Sequence, residues 1–156
     1  MKIDKYYLSL AGEFRICSEL LKRRVFATVI FGNKKGADIF AVGRNRKAAQ
    51  IEVKSSNSNR FVTKFYQKHR TPDDEHPNFW VLFSVCEKND AFIERFFVLT
   101  HQEMAEAQAQ RNHPEEKLTW AERANKVTFG VDNVIHQNVE AHESQWDKII
   151  HFCNDA

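Results

Sequence analysis

The chain has 156 residues, enough for one globular domain with a core of its own. Hydrophobic residues make up 42% and charged residues 28%, which is too apolar for a disordered chain, and no run of about 18 apolar residues could span a membrane. We therefore expect a single domain over residues 1–156 that does not enter a membrane. The N-terminal residues show neither the apolar block nor the cleavage site of a signal peptide, so a cytoplasmic location is expected. The three cysteines are far apart among apolar neighbours, which fits reduced core thiols.

Charge is divided unevenly along the chain. Residues 1–70 contain 16 Lys and Arg against five Asp and Glu, a balance of +11, whereas residues 71–156 contain seven against 16, a balance of −9. A basic half suits a polyanion such as nucleic acid, which an acidic half would repel. Composition leaves two arrangements open: a molecule with a basic and an acidic side, or a fold that interleaves the halves and averages their charges.

The first third of the chain predicts a helix followed by strands. Residues 6–23 form an amphipathic helix, in which Leu10, Phe14, Cys17 and Leu21 recur at helical spacing as the expected buried stripe. Three short strands then follow at residues 25–30, 37–42 and 48–55, separated by glycine-containing turns. These strands are expected to form a meander packed on the helix.

The remaining elements complete a mixed α/β pattern. Residues 60–70 favour a helix because apolar residues pair at i, i+4 spacing, and residues 72–77 form a loop. Residues 79–85 and 95–99 are nearly continuous apolar runs, which predicts central strands covered on both faces. A capping box at Thr100 opens a helix to about residue 111, and Ser144 is expected to cap a last helix. This order predicts an α/β domain with a mixed sheet.

Three polar residues on two of the predicted strands could carry chemistry. Asp38 lies at the start of one strand, and Glu52 and Lys54 stand at i and i+2 of the next, where they share one face. Paired carboxylates are suited to Mg²⁺ or Mn²⁺, and an adjacent ammonium could orient a water molecule or offset charge on phosphate. Each residue alone is better explained as a turn residue or a solvated strand face. Their conjunction within the basic half is what predicts a site.

The residues that carry this pattern also resemble a known superfamily. Three segments are involved: Gly12-Glu13-Phe14, Lys35-Gly36-Ala37-Asp38-Ile39 and Ile51-Glu52-Val53-Lys54-Ser55. Together they resemble the PD-(D/E)XK nucleases, which include restriction endonucleases and Holliday-junction resolvases. Small bacterial members of the superfamily are also similar in their Phe-Trp-Val-Leu and Phe-Phe-Val-Leu-Thr strands, found here at residues 79–82 and 96–100. The resemblance implies a restriction-endonuclease-like sheet of about five strands flanked by helices.

The resemblance also implies roles for individual residues. Asp38 and Glu52 correspond to the metal-binding acids, the carbonyl of Val53 to a backbone ligand and Lys54 to the catalytic lysine. Glu13 matches a first-helix glutamate that often joins the metal shell, although a surface helix residue would look the same. The proline that precedes the aspartate in the motif is replaced here by Ala37, a common variation.

Basic and hydroxyl side chains flank the predicted metal centre and could hold phosphates without reading bases. They are Lys34, Lys35, Ser55, Ser56, Arg60, Lys64 and Lys68. The aromatic residues Phe61, Phe65 and Tyr66 fit a core better than a base-stacking platform. No histidine spacing indicates a metal site. We expect the lysines and the 60–70 stripe to rim the cleft, with acidic residues turned away.

The predicted function is therefore Mg²⁺- or Mn²⁺-dependent endonucleolytic cleavage of a nucleic acid, with DNA as the expected substrate. The alternative is a non-catalytic nucleic-acid-binding or protein-interaction domain on the same fold, in which the polar cluster is a structural network. Cutting both strands of a duplex normally requires two active sites, so the sequence leaves open a homodimer.

Overall fold

A computed structural model describes residues 3–32, 36–69, 75–112 and 131–155. The larger elements are a helix α1 (Lys5–Lys22), strands β1 (Phe26–Val29), β2 (Ile39–Val42) and β3 (Ala48–Ser56), and the long hairpin β5 (Phe79–Lys88) and β6 (Ala91–Thr100). Between β3 and β5 lie a short strand β4 (Arg60–Val62) and one helical turn α2 (Phe65–Lys68). After the hairpin come α3 (His101–Asn112), β7 (Asn133–Ile135), α4 (His136–Val139), a 3₁₀ turn (Glu140–His142) and α5 (Asp147–Asn154).

The main sheet has five strands in the order β1-β2-β3-β5-β6. Neighbouring strands are antiparallel except β3 and β5, which run parallel, so the predicted mixed α/β sheet is confirmed. A parallel pair requires a crossover connection, and here it contains β4 and α2. The expectation that both late strands are central is wrong for β6, which is the edge strand of this sheet.

Two apolar cores cover opposite faces of the sheet. One contains Ile51 and Val53 of β3 and is covered by α1 and α5. The other contains Trp80 and Leu82 of β5, with the aromatic side chains of β4 and α2 and part of α3 packed on them. Alternation along the buried strand β5 therefore fills both cores, which explains its nearly continuous apolar sequence.

Helix α1 forms where it is predicted, but its buried stripe is rotated. Leu8, Gly12, Ile16 and Leu20 are buried, whereas Phe14 and Leu21 of the expected stripe are about half exposed. A Cβ at Gly12 would lie 2.1 Å from the Ser55 Oγ and 3.1 Å from Phe83 Cδ1. Glycine thus lets α1 approach the sheet closely, and the close approach selects which face of the helix is buried.

The 60–70 segment is not the predicted helix. Its first three residues form β4, which pairs with β7, and Lys64 has φ 51°, a left-handed conformation that ends the extended segment before α2. The Asp132 carboxylate accepts hydrogen bonds from the backbone N–H groups of Tyr66 at 2.8 Å and Gln67 at 3.2 Å. Thr63 Oγ1 accepts from the Phe65 N–H at 3.3 Å, and a residue far away in sequence, Asp132, caps the next two N–H groups of α2.

Two other local predictions have different outcomes. The capping box is confirmed, because Thr100 N donates to Glu103 Oε2 at 2.8 Å and Glu103 N donates to Thr100 Oγ1 at 3.2 Å. The Ser144 cap is wrong: α5 begins after Trp146, and Ser144 has φ 54°. Cys17 and Cys153 are buried as expected, whereas Cys86 is exposed. Within the described ranges, no helix has the length and apolar character needed to cross a bilayer.

Candidate active site

Asp38 and Glu52 lie opposite each other at the β2–β3 boundary. Ile39 pairs with Ile51, and continuing this antiparallel register by one residue puts Asp38 across from Glu52. The Asp38 Oδ2 accepts a hydrogen bond from the backbone N–H of Val53 at 2.7 Å, which fixes the carboxylate against β3. The alternation expected from the sequence therefore places both acids on one face.

Two lysines contact the buried carboxylate of Glu52. The Lys54 Nζ lies 2.7 Å from Glu52 Oε1, and the Lys68 Nζ lies 3.5 Å from the same oxygen. Lys54 comes from the same strand, two residues on, whereas Lys68 comes from the last residue of α2. The structure thus brings together Asp38, Glu52 and Lys54 as the spacing predicts, and adds Lys68.

Burial and neighbouring charges act differently on the two acids. Burial raises the pKa of Asp38, the nearby charge of Glu52 raises it further, and the Val53 N–H and the two lysines only partly compensate. Burial would also raise the pKa of Glu52, but Lys54 and Lys68 outweigh it, so that this pKa is lowered. Glu52 is therefore the better neutralised carboxylate, and Asp38 keeps an unfavourable negative charge.

Glu13 on α1 belongs to the same electrostatic cluster. Burial and the charge of Asp38 raise the pKa of Glu13 to about 6, with a smaller contribution from Glu52 and an opposing hydrogen bond with Ser9. Because Gly12 allows α1 to lie close to β3, the next residue, Glu13, comes within electrostatic range of both strand acids.

The donors present fit a hard divalent cation. Carboxylate and carbonyl oxygens are the ligands that Mg²⁺ and Mn²⁺ prefer, and a cation would relieve the charge that raises the pKa values of Asp38 and Glu13. Within the described ranges, no three Asp, Glu, His or Cys side chains converge closely enough to hold a metal ion by themselves. An ion at this place would therefore depend on Asp38, Glu52, the Val53 carbonyl and water molecules.

An open cleft of about 570 Å³ lies beside this cluster. Gly36 and Gln50 form part of its wall on the strand side, and residues of the β3–β5 crossover form the rest. Lys68 borders the cleft and also contacts Glu52, so this side chain connects the cleft with the acid cluster, whose residues Asp38, Glu52 and Lys54 are not among the described residues that line it. Lys64 and Lys68 are the predicted phosphate-binding residues that the structure brings to the cleft.

Three other predicted phosphate contacts, Ser55, Ser56 and Arg60, do not line the cleft. The Ser55 Oγ is buried beside Gly12, on the α1 side of β3. Ser56 is buried, and its hydroxyl donates to the Arg60 carbonyl at 2.6 Å. Arg60 is exposed on β4, outside the residues that line the cleft. Lys34 and Lys35 lie outside the described residues.

A cluster of three histidines was missed by sequence reasoning. His76 stacks on His101 with ring centroids 3.9 Å apart and an interplanar angle of 8°, and His69 meets His101 edge-on at 4.9 Å. Trp80 Nε1 donates to His101 Nδ1 at 3.1 Å. Burial and the two other imidazoles lower the pKa of His101 to about 3. These histidines come from the crossover and the start of α3, so no local spacing could reveal the cluster.

Acidic residues are not simply turned away from the cleft. Glu75, from the acidic half of the chain, borders it beside the lysines. Asp132, also from the acidic half, accepts hydrogen bonds from the Tyr66 and Gln67 N–H groups of α2. The expected division into two sides therefore holds only in part, because the fold interleaves the two halves of the chain at this place.

Comparisons with known proteins give one structural likeness. No protein-family model matches the sequence, and no curated protein matches it. Among solved structures, the bacterial homing endonuclease I-Ssp6803I has a similar fold, with a TM-score of 0.52 and 10% sequence identity. The similarity covers 97% of this chain and 95% of the homing endonuclease. At this level of identity the likeness shows that this chain has the fold of I-Ssp6803I, over nearly its whole length.

Proposed function

We propose that this chain is a divalent-metal-dependent endonuclease of the PD-(D/E)XK type that hydrolyses phosphodiester bonds in DNA. The observation that carries the proposal is the convergence of Asp38, Glu52 and Lys54 on adjacent strands, with Lys54 Nζ 2.7 Å from Glu52. The full-length likeness in fold to a bacterial homing endonuclease supports the same reaction class.

The residues of the candidate site would have different roles in hydrolysis. Asp38, Glu52 and the Val53 carbonyl would hold Mg²⁺ or Mn²⁺, and Glu13 would complete the set through water. When bound, such an ion stabilises negative charge on the phosphate and lowers the pKa of water. Lys54 orients the attacking water for in-line attack on phosphorus and offsets charge in the transition state. Lys68 and Lys64 hold the phosphates next to the scissile bond.

A non-catalytic domain on the same fold is the second candidate. The observation in its favour is that Glu52 has two lysine partners, at 2.7 and 3.5 Å, and so forms an ionic network without a metal ion. In that case Lys54 would contribute to stability and to binding of nucleic acid or a protein, but not to turnover.

A plasmid-nicking assay in Mg²⁺ or Mn²⁺ separates the two candidates. We expect Lys54→Ala and Asp38→Ala to lower nicking at least about 100-fold while DNA binding persists. Lys88→Ala is the matched control, since Lys88 is an exposed lysine at the far end of β5. Equal nicking by the wild type and both site variants would show that the activity comes from a contaminant. A wild type that binds DNA but does not nick it would favour the second candidate.

A homodimer would supply the two active sites that cleavage of both strands requires. Light scattering in solution, with and without a DNA duplex, measures the molar mass. A mass of one chain without DNA and of one chain plus one duplex with it, combined with linearised plasmid as the product, would contradict a dimer acting on the duplex.

A further inference from the structure

The cleft beside the acid cluster has an aromatic wall. His76 borders the cleft and is exposed, and one face of its ring stacks on His101 at 3.9 Å and 8°. His101 stacks in turn with Phe65 at 5.1 Å and 26°. The His76 ring is therefore the outer member of a three-ring stack, and its Nδ1 lies 2.8 Å from the Pro77 carbonyl. Of these three rings, His76 is the exposed one, whereas His101 and Phe65 are buried.

Side chains that can bind a nucleotide line the same cleft as His76. The carboxamides of Gln50 and Gln67 border the cleft, and each offers a hydrogen-bond donor and acceptor of the kind that reads base edges. Lys64 and Lys68 border it as well and can neutralise phosphate. Among the described residues that line the cleft, Glu75 is the acidic one, so a phosphate would lie on the lysine side.

The volume of the cleft limits which ligands can enter it. A volume of about 570 Å³ is in the range of small-molecule sites and is far smaller than a segment of double helix. Exposed aromatic rings beside cationic side chains are the usual means by which proteins bind unpaired bases. In a double helix the faces of a base are covered by its stacked neighbours, so a base outside the helix is the one that can stack on the His76 ring.

We propose that this cleft binds one unpaired nucleobase stacked on His76, next to the phosphate presented to Asp38 and Glu52. This proposal rests on the proposed function and names its substrate class: DNA with a bulged or otherwise unpaired nucleotide beside the scissile bond. Lys68 connects the two parts of the site, because it borders the cleft and contacts Glu52 at 3.5 Å.

Fluorescence anisotropy in EDTA tests the binding without cleavage. Three labelled probes are compared: a perfect duplex, the same duplex with one bulged nucleotide, and the same bulge carrying an abasic nucleotide. We expect the wild type to bind the bulged base about five-fold or more tighter than the abasic bulge. His76→Ala should abolish this difference, and His76→Phe should retain it because the ring is kept. His151→Ala, at an exposed histidine on α5, should leave it unchanged.

Two results would overturn the proposal: equal affinity of the wild type for the base and abasic bulges, or undiminished discrimination in His76→Ala. The wild-type comparison stands even if His76→Ala does not fold. Failure of the nuclease proposal gives a different result, namely discrimination in EDTA together with no metal-dependent cleavage of any probe. Failure of the stacking site alone gives metal-dependent cleavage with no preference between base and abasic bulges.

Discussion

At the scale of single residues, Glu52 is an acid of the candidate site whose carboxylate contacts two lysines. A cation bound by Glu52 would lie close to the positive charges of Lys54 and Lys68. The two lysines have different expected uses: Lys54 acts on the reacting water, whereas Lys68 reaches the cleft. Under the proposed function, Lys68 should therefore lower the affinity for metal while it raises the affinity for nucleic acid.

Removal of Lys68 should reveal these opposing effects. We expect Lys68→Ala to bind Mn²⁺ several-fold more tightly in the absence of DNA, because one positive charge near Glu52 is removed. Isothermal titration calorimetry measures the affinity. Lys64→Ala is the matched control, since Lys64 borders the same cleft. A weaker Mn²⁺ affinity in Lys68→Ala would contradict this account.

The convergence of the strand acids with Lys54 was predictable, and Lys64 and Lys68 of the crossover were predicted as phosphate contacts, but the contact of Lys68 with Glu52 and the histidine cluster were not predicted. Period-two alternation fixes Glu52 and Lys54 on one face, and antiparallel pairing of neighbouring strands brings Asp38 across from them. The contact of Lys68 with Glu52 depends on where a single helical turn lies. The stacking of His76 on His101 joins residues from separate elements, for which no periodic signal exists.

At the scale of elements, α2 depends on a cap from outside its own segment. A helix of four residues cannot sustain itself, and the Asp132 carboxylate accepts hydrogen bonds from its second and third N–H groups, those of Tyr66 and Gln67. We expect Asp132→Ala to lower the free energy of unfolding by about 1 kcal/mol, and Asp132→Asn to lower it less. Urea denaturation measures both. Glu106→Gln, at an exposed position on α3, is the control, and an unaltered stability of Asp132→Ala would show that the cap is unimportant.

Glu103 connects the start of α3 to α5 and makes stability depend on pH. Burial would raise the pKa of Glu103, but Lys148 at 2.7 Å and the Thr100 N–H outweigh it, so the pKa is lowered in the folded state. The stabilisation is therefore complete above the unfolded-state pKa of about 4.5 and is lost as the pH falls below it.

Glu103→Gln should accordingly lower the free energy of unfolding by about 1 kcal/mol at pH 7. The difference from the wild type should shrink as the pH is lowered towards 3, because the wild-type carboxylate then becomes protonated too. Urea denaturation at a series of pH values checks this, again with Glu106→Gln as the control. A difference that is constant with pH would show that the charge of Glu103 is not what stabilises α3.

Element predictions succeeded where one local signal dominates and failed where the tertiary structure decides. The capping box at Thr100 and the hairpin strands follow from local sequence. Segment 60–70 has helical spacing of apolar residues, yet Phe61 is buried by pairing of β4 with β7, which is more than 70 residues further along the chain. Ser144 has the residue type of a cap but lies outside the helix.

At the scale of the whole molecule, the uneven charge along the chain would govern how a nucleic acid approaches, if the proposed function is right. The basic half contributes Lys64 and Lys68 to the cleft, and it also carries Arg44 and Arg46 on the exposed β2–β3 turn. If nucleic acid binds in the cleft, Lys64 and Lys68 should displace counterions from its phosphates, whereas Arg44 and Arg46 should not. The slope of log affinity against log salt concentration separates the two surfaces.

We expect the Lys64→Ala/Lys68→Ala double variant to reduce this slope by about 1.4 for an unpaired strand, which is about 0.7 for each phosphate that the variant no longer neutralises. The Arg44→Ala/Arg46→Ala variant should leave the slope unchanged. Binding titrations over a range of salt concentrations measure both. A larger change for the arginine pair would place the nucleic acid on the turn surface instead.

The residues of the proposed metal centre and the residues of the cleft lie in different segments of the chain. The strands that carry Asp38, Glu52 and Lys54 belong to the meander, whereas Lys64, Lys68 and His76 belong to the connection after it. Phe61 and Phe65 of this connection are buried in the second core, and Asp132 caps α2, so the connection as a whole is tied to the rest of the fold. Under the proposed function, its cleft-lining side chains are the positions at which substitution should change substrate choice while the strand acids stay in register.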